Sequence, residues 1–329
     1  MANPQPKSNV APFTRAVVAS MRKLFPEQLA DKSFDNTGLL LESPFRPGHL
    51  KKSALITIDL TTAVADEAIS RRVSIIIAYR KTPFLARSNA YSHPPKPIKS
   101  LTQGDTQQKT LLRLAQEGIS VYCPHTAVDA APGGLNDWLA DIVVGGEGNS
   151  TRSIITPIKD PPPGFESAGY GRIVRFNQPQ KLGNLVSAIT SSLALTGVSV
   201  ATPQTVPAGE KSQISISSIG ICAGSGGSML NNLDVDLLFT GELSHHEALA
   251  AIEKGVCVVT TFHSNSERAY FRKVMQPSLV NEVTQEIFEM KGRGDWEGDV
   301  EGEGEGEMVI FASDIDADPF QIISREQKW

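Results

Sequence analysis

The sequence predicts an α/β protein: mixed, largely parallel sheets flanked by helices. Three observations carry that expectation. Strand-length apolar runs alternate with stretches of helical spacing. A Pro- and Gly-rich middle separates two such alternations. Histidine and carboxylate clusters fall in the loops that follow the apolar runs, where the carboxyl ends of parallel strands open on one edge of a sheet.

In chain order, residues 1–12 read as a disordered leader and 13–25 as a first core helix with spaced apolar residues. Lys7, Arg15, Arg22 and Lys23 precede the first acid, Glu27, so a mitochondrial presequence is a weaker alternative for this end. Residues 53–60 read as a buried strand, 62–71 as a helix and 73–78 as a second strand, a βαβ unit. A helix over 105–116 stops at Gly118, and the strand 119–123 ends just before His125. These elements form an N-terminal half, 13–156. The texture then changes at Pro161-Pro-Pro-Gly164, and 157–212 reads as a central linker or insertion holding a short strand (173–176) and a helix (181–195). A C-terminal half, 213–329, has strands over 214–222, 237–240 and 256–261, helices over 244–253 and 264–275, and a closing strand over 308–312. Its segment 292–307, rich in Gly and Glu, lacks the apolar residues to order itself and reads as a mobile surface loop. No internal period of repeat-protein length is evident.

Composition narrows the classes. The 329 residues are 40% apolar and 20% charged, which suits a soluble globular chain of one or two domains, and no window spans a bilayer. A net charge of −5 gives no general attraction to nucleic acid or anionic lipid. Cys123, Cys222 and Cys257, an odd number without a close pair, read as reduced core thiols, and the chain is assigned to the cytoplasm, with mitochondrion or nucleus as alternatives.

Five of the six histidines lie in clusters with acids: His93, His125-Thr-Ala-Val-Asp129, Glu242-Leu-Ser-His245-His246 and His263-Ser-Asn-Ser-Glu267. Imidazole nitrogens and carboxylate oxygens are the ligands of hydrolytic divalent-metal sites. A His and an acid four residues apart occur twice, and on one turn such a pair can face one ion. Each cluster has a structural alternative. Ser264-Asn-Ser-Glu267 also reads as a helix capping box, His125 and Asp129 as a hydrogen-bonded loop pair, and His245-His246 as an exposed helix start. Gly224-Ser-Gly-Gly-Ser228 reads either as an anion-binding turn or as a tight strand-to-helix connection, and it lacks the lysine of a P-loop.

Together, Phe34-Asp-Asn-Thr-Gly-Leu-Leu40, Ile56-Thr-Ile-Asp-Leu-Thr61, Pro124-His-Thr-Ala-Val-Asp129 with Gly133-Gly-Leu-Asn136, Gly224-Ser-Gly-Gly-Ser228, Thr240-Gly-Glu242 with His245-His246, and Phe262-His-Ser-Asn-Ser-Glu-Arg268 resemble the motifs of the Nif-three family, the NGG-one-interacting factor three proteins. The resemblance runs from about residue 13 to 320 and is weakest between 160 and 212. It implies that N- and C-terminal segments join in a common core, that the chain assembles into ring-like homo-oligomers, and that a cleft holds two divalent metal ions. It gives His125, Asp129, His263 and Glu267 as ligands, with Glu242, His245 and His246 nearby and Asp35 and Asn36 beside the cleft. One departure stands out. The family's histidine after the second strand is a ligand, whereas here Ala78-Tyr79 is followed by an apparent insertion over 80–92 before His93-Pro-Pro95. Either His93 still reaches the metal, or Arg80 stands at the ligand's position and its cation weakens the site.

The resemblance therefore implies a metal-dependent hydrolase, with Glu242 or His246 moving the proton. A GTP cyclohydrolase-type label on some relatives points to a nucleotide or other phosphate-bearing substrate. The alternative is a metal-stabilised interaction protein with a transcription-regulator partner, and a metal-free nucleotide binder is a third. Mixed nitrogen and oxygen ligands admit zinc, manganese or iron.

Overall fold

The computed structural model describes residues 10–80, 100–146, 148–296 and 307–323. Its first elements are α1 (Pro12–Leu24), β1 (Gly38–Leu41), β2 (Ser53–Thr57), α2 (Thr62–Arg71), β3 (Ile75–Ala78), α3 (Thr106–Glu117), β4 (Ser120–Cys123), α4 (Thr126–Ala130) and α5 (Leu135–Val144). There follow β5 (Ser150–Pro157), β6 (Gly169–Lys181), α6 (Leu182–Leu193), β7 (Ser199–Ala201), β8 (Ser215–Ser225), α7 (Gly227–Leu230) and β9 (Leu237–Glu242). The chain ends with α8 (His245–Glu253), β10 (Cys257–Thr260), α9 (Arg268–Tyr270), α10 (Gln276–Arg293) and β11 (Val309–Ala312). The protein divides into two compact units, 1–127 with 271–316, and 128–270 with 317–329.

The first unit is built on a five-stranded sheet of order β1-β4-β3-β2-β11. β2, β3, β4 and β11 are parallel, and β1 closes one edge antiparallel to β4. β2, β3 and β4 are buried at every position, which is why they read as continuous apolar runs rather than alternating ones. Leu55, Ile76 and Val121 of the strands pack with Val64 and Ala68 of α2 and Leu114 of α3. Thr61 accepts from the Val64 amide to cap α2, and Asp105 caps α3 through the Gln107 and Gln108 amides. β11 lies on β2 with Val309 opposite Ser53, so the two ends of the chain share this core, and α1 packs along α10.

The second unit has a six-stranded sheet of order β5-β6-β8-β9-β10-β7, in which β8, β9 and β10 are parallel and the outer pairings are antiparallel. Leu230, Val235, Leu238 and Val258 form its core with Cys222 and Ala251. All three cysteines are buried and unbridged.

Four expectations need correction. Val10, Ala11 and Pro12 are buried, so the described end of the expected leader 1–12 is packed. The stretch 157–212 is no insertion: β6 sits between β5 and β8 in the second sheet, and Pro161 to Gly164 lies in the connection of the β5–β6 hairpin. Residues 264–275 do not form one helix. They make a 3-10 turn, α9 and a π turn before α10, because Ser264 donates to Asp318 Oδ2 (2.6 Å) and Ser266 to the His263 carbonyl (2.7 Å). Gly292 and Arg293, placed in the loop 292–307, end α10, while 297–306 lie outside the described residues. No helix among the described residues is long and apolar enough to cross a membrane.

Candidate functional site

In the first unit, β4 runs out at Cys123, and His125 follows with φ of +31°, a conformation that L residues rarely adopt and that clusters at functional positions. Its amide donates to the Tyr79 carbonyl (2.9 Å), which ties it to the end of β3. Its Nδ1 lies 2.7 Å from Asp35 Oδ1, and the Asp35 side chain is fully buried. Burial alone would push the Asp35 carboxyl up. The hydrogen bonds from His125 and from the Thr126 hydroxyl (2.6 Å) and amide (3.2 Å) overcome it and hold the group below the usual carboxylate range. An ionised Asp35 accepts a proton-bearing Nδ1, so the neutral His125 tautomer carries its lone pair on Nε2. Tyr79 and Phe34 stand edge-on to the imidazole at 5.4 and 6.4 Å. Arg80 lies 3.8 Å from Asp59. His93 falls outside the described residues.

The same construction recurs in the second unit. Phe262, with φ of +65°, turns the chain after β10 and presents His263. His263 Nδ1 lies 2.7 Å from Glu242 Oε1 at the end of β9, and its Nε2 lies 3.6 Å from Oε1 of Glu267, which is 2% exposed. That separation is too long for a hydrogen bond. Gly224, with φ of +65°, forms the floor: a Cβ there would meet His263 Nε2 at 2.7 Å and Glu267 Oε1 at 3.0 Å. Its amide donates to Ser266 (2.9 Å) and its carbonyl accepts from Thr240 (3.0 Å), so strand ends and turn are locked together.

Asp129, in α4, is half-buried in this unit. Its carbonyl accepts from Asn136 Nδ2 (3.0 Å), and Asn136 Oδ1 accepts from the Ala223 amide (2.9 Å), which fixes α4 and α5 to β8. Burial, with the charges of Asp129 and Glu267, pushes the Cys222 thiol up to about 12. His125 and Asp129 fall in different units, and α4 carries the chain from one to the other. His246 is exposed, stands edge-on to His245 at 5.4 Å, and lines a cavity of about 310 Å³ with Leu230, Asn231 and Lys254. The capping box forms not at Ser264 but at Ser244 and Glu247, the start of α8, a motif match of the same type that the sequence reading passed over.

Among the described residues, no group of three or more His, Cys, Asp and Glu side chains is gathered as a metal site. The donor chemistry nevertheless fits a divalent cation: an imidazole whose other nitrogen is held by a carboxylate, a buried carboxylate facing it, and a glycine that keeps the space before them open. The role of Gly224 was not read from sequence. The Gly-Ser-Gly-Gly-Ser run marked a turn there, but only the fold sets it beneath His263.

The family model described as Duf34/NIF3 (NGG1p interacting factor 3) matches residues 14–291. The chain is 44% identical over 281 residues to the protein NIF3 homolog of Schizosaccharomyces pombe, a match covering 85% of this chain and 92% of that relative. It is 38% identical to NGG1-interacting factor 3 of Saccharomyces cerevisiae, covering 81% and 90%. A solved Bacillus cereus protein related to NIF3 has the same fold, with a TM-score of 0.68 at 18% identity over 94% of this chain and 98% of that one. A family match over most of the sequence, joined by fungal relatives of this identity, makes the chain a member of the NIF3 family.

Proposed function

We propose that this chain is a dinuclear metal-dependent hydrolase acting on a nucleotide or another phosphate-bearing small molecule. The observation that carries the reading is His263, oriented by Glu242 at Nδ1 and facing buried Glu267 with Nε2 across the space that Gly224 leaves. In the second unit the donors are Asp129, His263 and Glu267. In the first unit it is His125, with Asp35 behind it; the family resemblance adds His93, which lies outside the described residues. When bound, divalent cations (zinc, manganese or iron) supply Lewis-acid charge and activate water for attack. Glu242 and Asp35 each hold a proton on Nδ1, which keeps Nε2 of the histidine unprotonated and fixed in direction. Of the two proton carriers expected, Glu242 is in contact with His263 and is half exposed, so its carboxylate can exchange a proton with solvent while His263 keeps the one on Nδ1.

Elemental analysis of the purified full chain, followed by turnover against a nucleotide and phosphoester panel, tests this. Bound metal is expected, with turnover falling at least 100-fold in His263→Ala, the scale set by loss of a catalytic metal ligand. A fully folded chain without metal, or turnover that survives the substitution, would overturn it.

A second reading rests on the name of the yeast relative, an NGG1-interacting factor: the chain serves as a metal-stabilised partner of a transcription regulator. Binding to such a regulator that persists in His263→Ala while turnover is absent in both forms would favour it. The homo-oligomeric ring belongs to both readings, and sedimentation of the full chain measures it.

A further inference from the structure

Strand β8 breaks its ladder beside His263. Its pairing with β9 runs to Cys222 opposite Thr240 and resumes at Ser225 opposite Glu242, so Ala223 and Gly224 stand against the single residue Gly241. Two residues against one make a β-bulge, which frees backbone groups from the sheet and re-aims what lies next to it. Gly241 has no room for a side chain: a Cβ there would meet the Gly224 carbonyl oxygen at 2.6 Å, His263 Cα at 2.9 Å and Ser266 Oγ at 2.9 Å. Bulge and histidine turn are therefore in direct contact.

Backbone groups released inside a protein need other partners. Three side chains from three elements supply them. Asn136 Oδ1 on α5 accepts from the Ala223 amide (2.9 Å), Ser266 Oγ in the 3-10 turn accepts from the Gly224 amide (2.9 Å), and the Thr240 hydroxyl on β9 donates to the Gly224 carbonyl (3.0 Å). Asn136, Ser266 and Thr240 are all buried, so water does not stand in for any of them.

Ser266 does more than fill the bulge. Its hydroxyl also donates to the His263 carbonyl (2.7 Å), which makes it a link with one end on β8 and the other on the backbone of the histidine. On the far side of the bulge, Asn136 is itself bonded to the Asp129 carbonyl. A turn held in this way has one direction in which to present its imidazole.

We propose that Ser266 is a positioning residue: through it the bulge at Ala223 and Gly224 sets the His263 backbone so that Nδ1 meets Glu242 and Nε2 faces Glu267 in the metal-free chain. Its effect on metal rests on the reading of His263 as a donor, whereas its effect on the imidazole does not.

Imidazole nitrogen NMR of the metal-free full chain at about pH 8, above the usual histidine range, tests it. The His263 signals are assigned by their loss in His263→Ala. Wild type is expected to show His263 as a single tautomer with its proton on Nδ1. Ser266→Ala should turn it into a mixture of tautomers, and zinc affinity, measured by competition with a chelator, should fall at least tenfold, the scale of losing a group that orients a ligand. Ser266→Cys, which keeps the volume and a weak donor, is the second variant should Ser266→Ala fold poorly, and it should lie between the two. Ser218→Ala is the control for stability alone: that buried hydroxyl donates to Asp236 (3.1 Å) near the start of β8, and its loss should change neither readout. An unchanged His263 tautomer in both Ser266 variants overturns the proposal, and so does the same change in Ser218→Ala. A wild type that takes up no zinc defeats the hydrolase reading instead, and the tautomer, which needs no metal, still decides the role of Ser266.

Discussion

A single methyl group at position 224 tests how the imidazole and carboxylate of the second unit are spaced. Gly224 has φ of +65°, and a Cβ there would press on His263 Nε2 and Glu267 Oε1. Gly224→Ala is expected to cost about 1–2 kcal/mol in urea unfolding, from the left-handed backbone alone. It should also displace His263 and lower bound metal, measured by elemental analysis of the still-folded variant. At this scale the sequence singles out His125, Asp129, His263 and Glu267 as candidates, because the chemistry of a metal site calls for those residue types, and Asp35 by its motif; the structure sets His263 against Glu267 and places His125 and Asp129 in different units. What could not be read was which nitrogen each imidazole uses, because that is set by Asp35 and Glu242, carboxylates remote in sequence from the histidines they orient.

Elements are held to one another by contacts that periodicity cannot show. Arg172 on β6 is 2% exposed and grips Asp137 on α5 through Nε (2.7 Å) and Nη2 (2.8 Å), while Nη1 donates to the carbonyls of Gly169 (2.6 Å) and Gly171 (2.9 Å). Asp137→Asn would leave a buried guanidinium uncompensated, and a loss of about 3 kcal/mol or more is expected in urea unfolding at neutral pH. Burial by itself would push the Asp137 carboxyl up, but Arg172 holds it below the usual carboxylate range. The contribution is therefore fully present above the unfolded value near 3.9 and disappears as pH falls through the lower native value. Wild type and Asp137→Asn should thus converge in stability only in strong acid. The helix over 62–71 and the strands at β2, β3, β4 and β9 were legible because each is a strong apolar run or a capped helix. The sequence analysis assigns no element to α10, in which Pro277 sits in the first turn and one of the buried positions is Glu286. Burial of Glu286 is explained only by Lys23 of α1 (2.7 Å) and Arg293 (3.0 Å).

Across the whole molecule, the two units draw on the chain in alternation, with changeovers at 127/128, 270/271 and 316/317. The sequence placed boundaries near 156 and 212 because Pro and Gly thicken there, yet those residues belong to the β5–β6 hairpin and its neighbours. Local texture marks turns and does not say which strands will pair. The union of both chain ends came from the family resemblance alone, since nothing local to 309–312 names 53–57 as its partner. A chain cut after Trp296 lacks β11 and also Ser313, whose hydroxyl donates to buried Glu67. Such a chain is expected to aggregate through the uncovered β2 edge, seen as loss of the soluble species in sedimentation, while the intact chain stays dispersed. The strand order has a further consequence during biosynthesis. Every strand of the second sheet has been made once Thr260 emerges, whereas the first sheet has four strands by Cys123 and waits for its fifth until Val309. At roughly 5–20 residues per second, a nascent chain displays that open flank for on the order of ten seconds or more. The second sheet is thus poised to mature before the first, and the ribosome-bound intermediate is where an open strand flank most needs shielding.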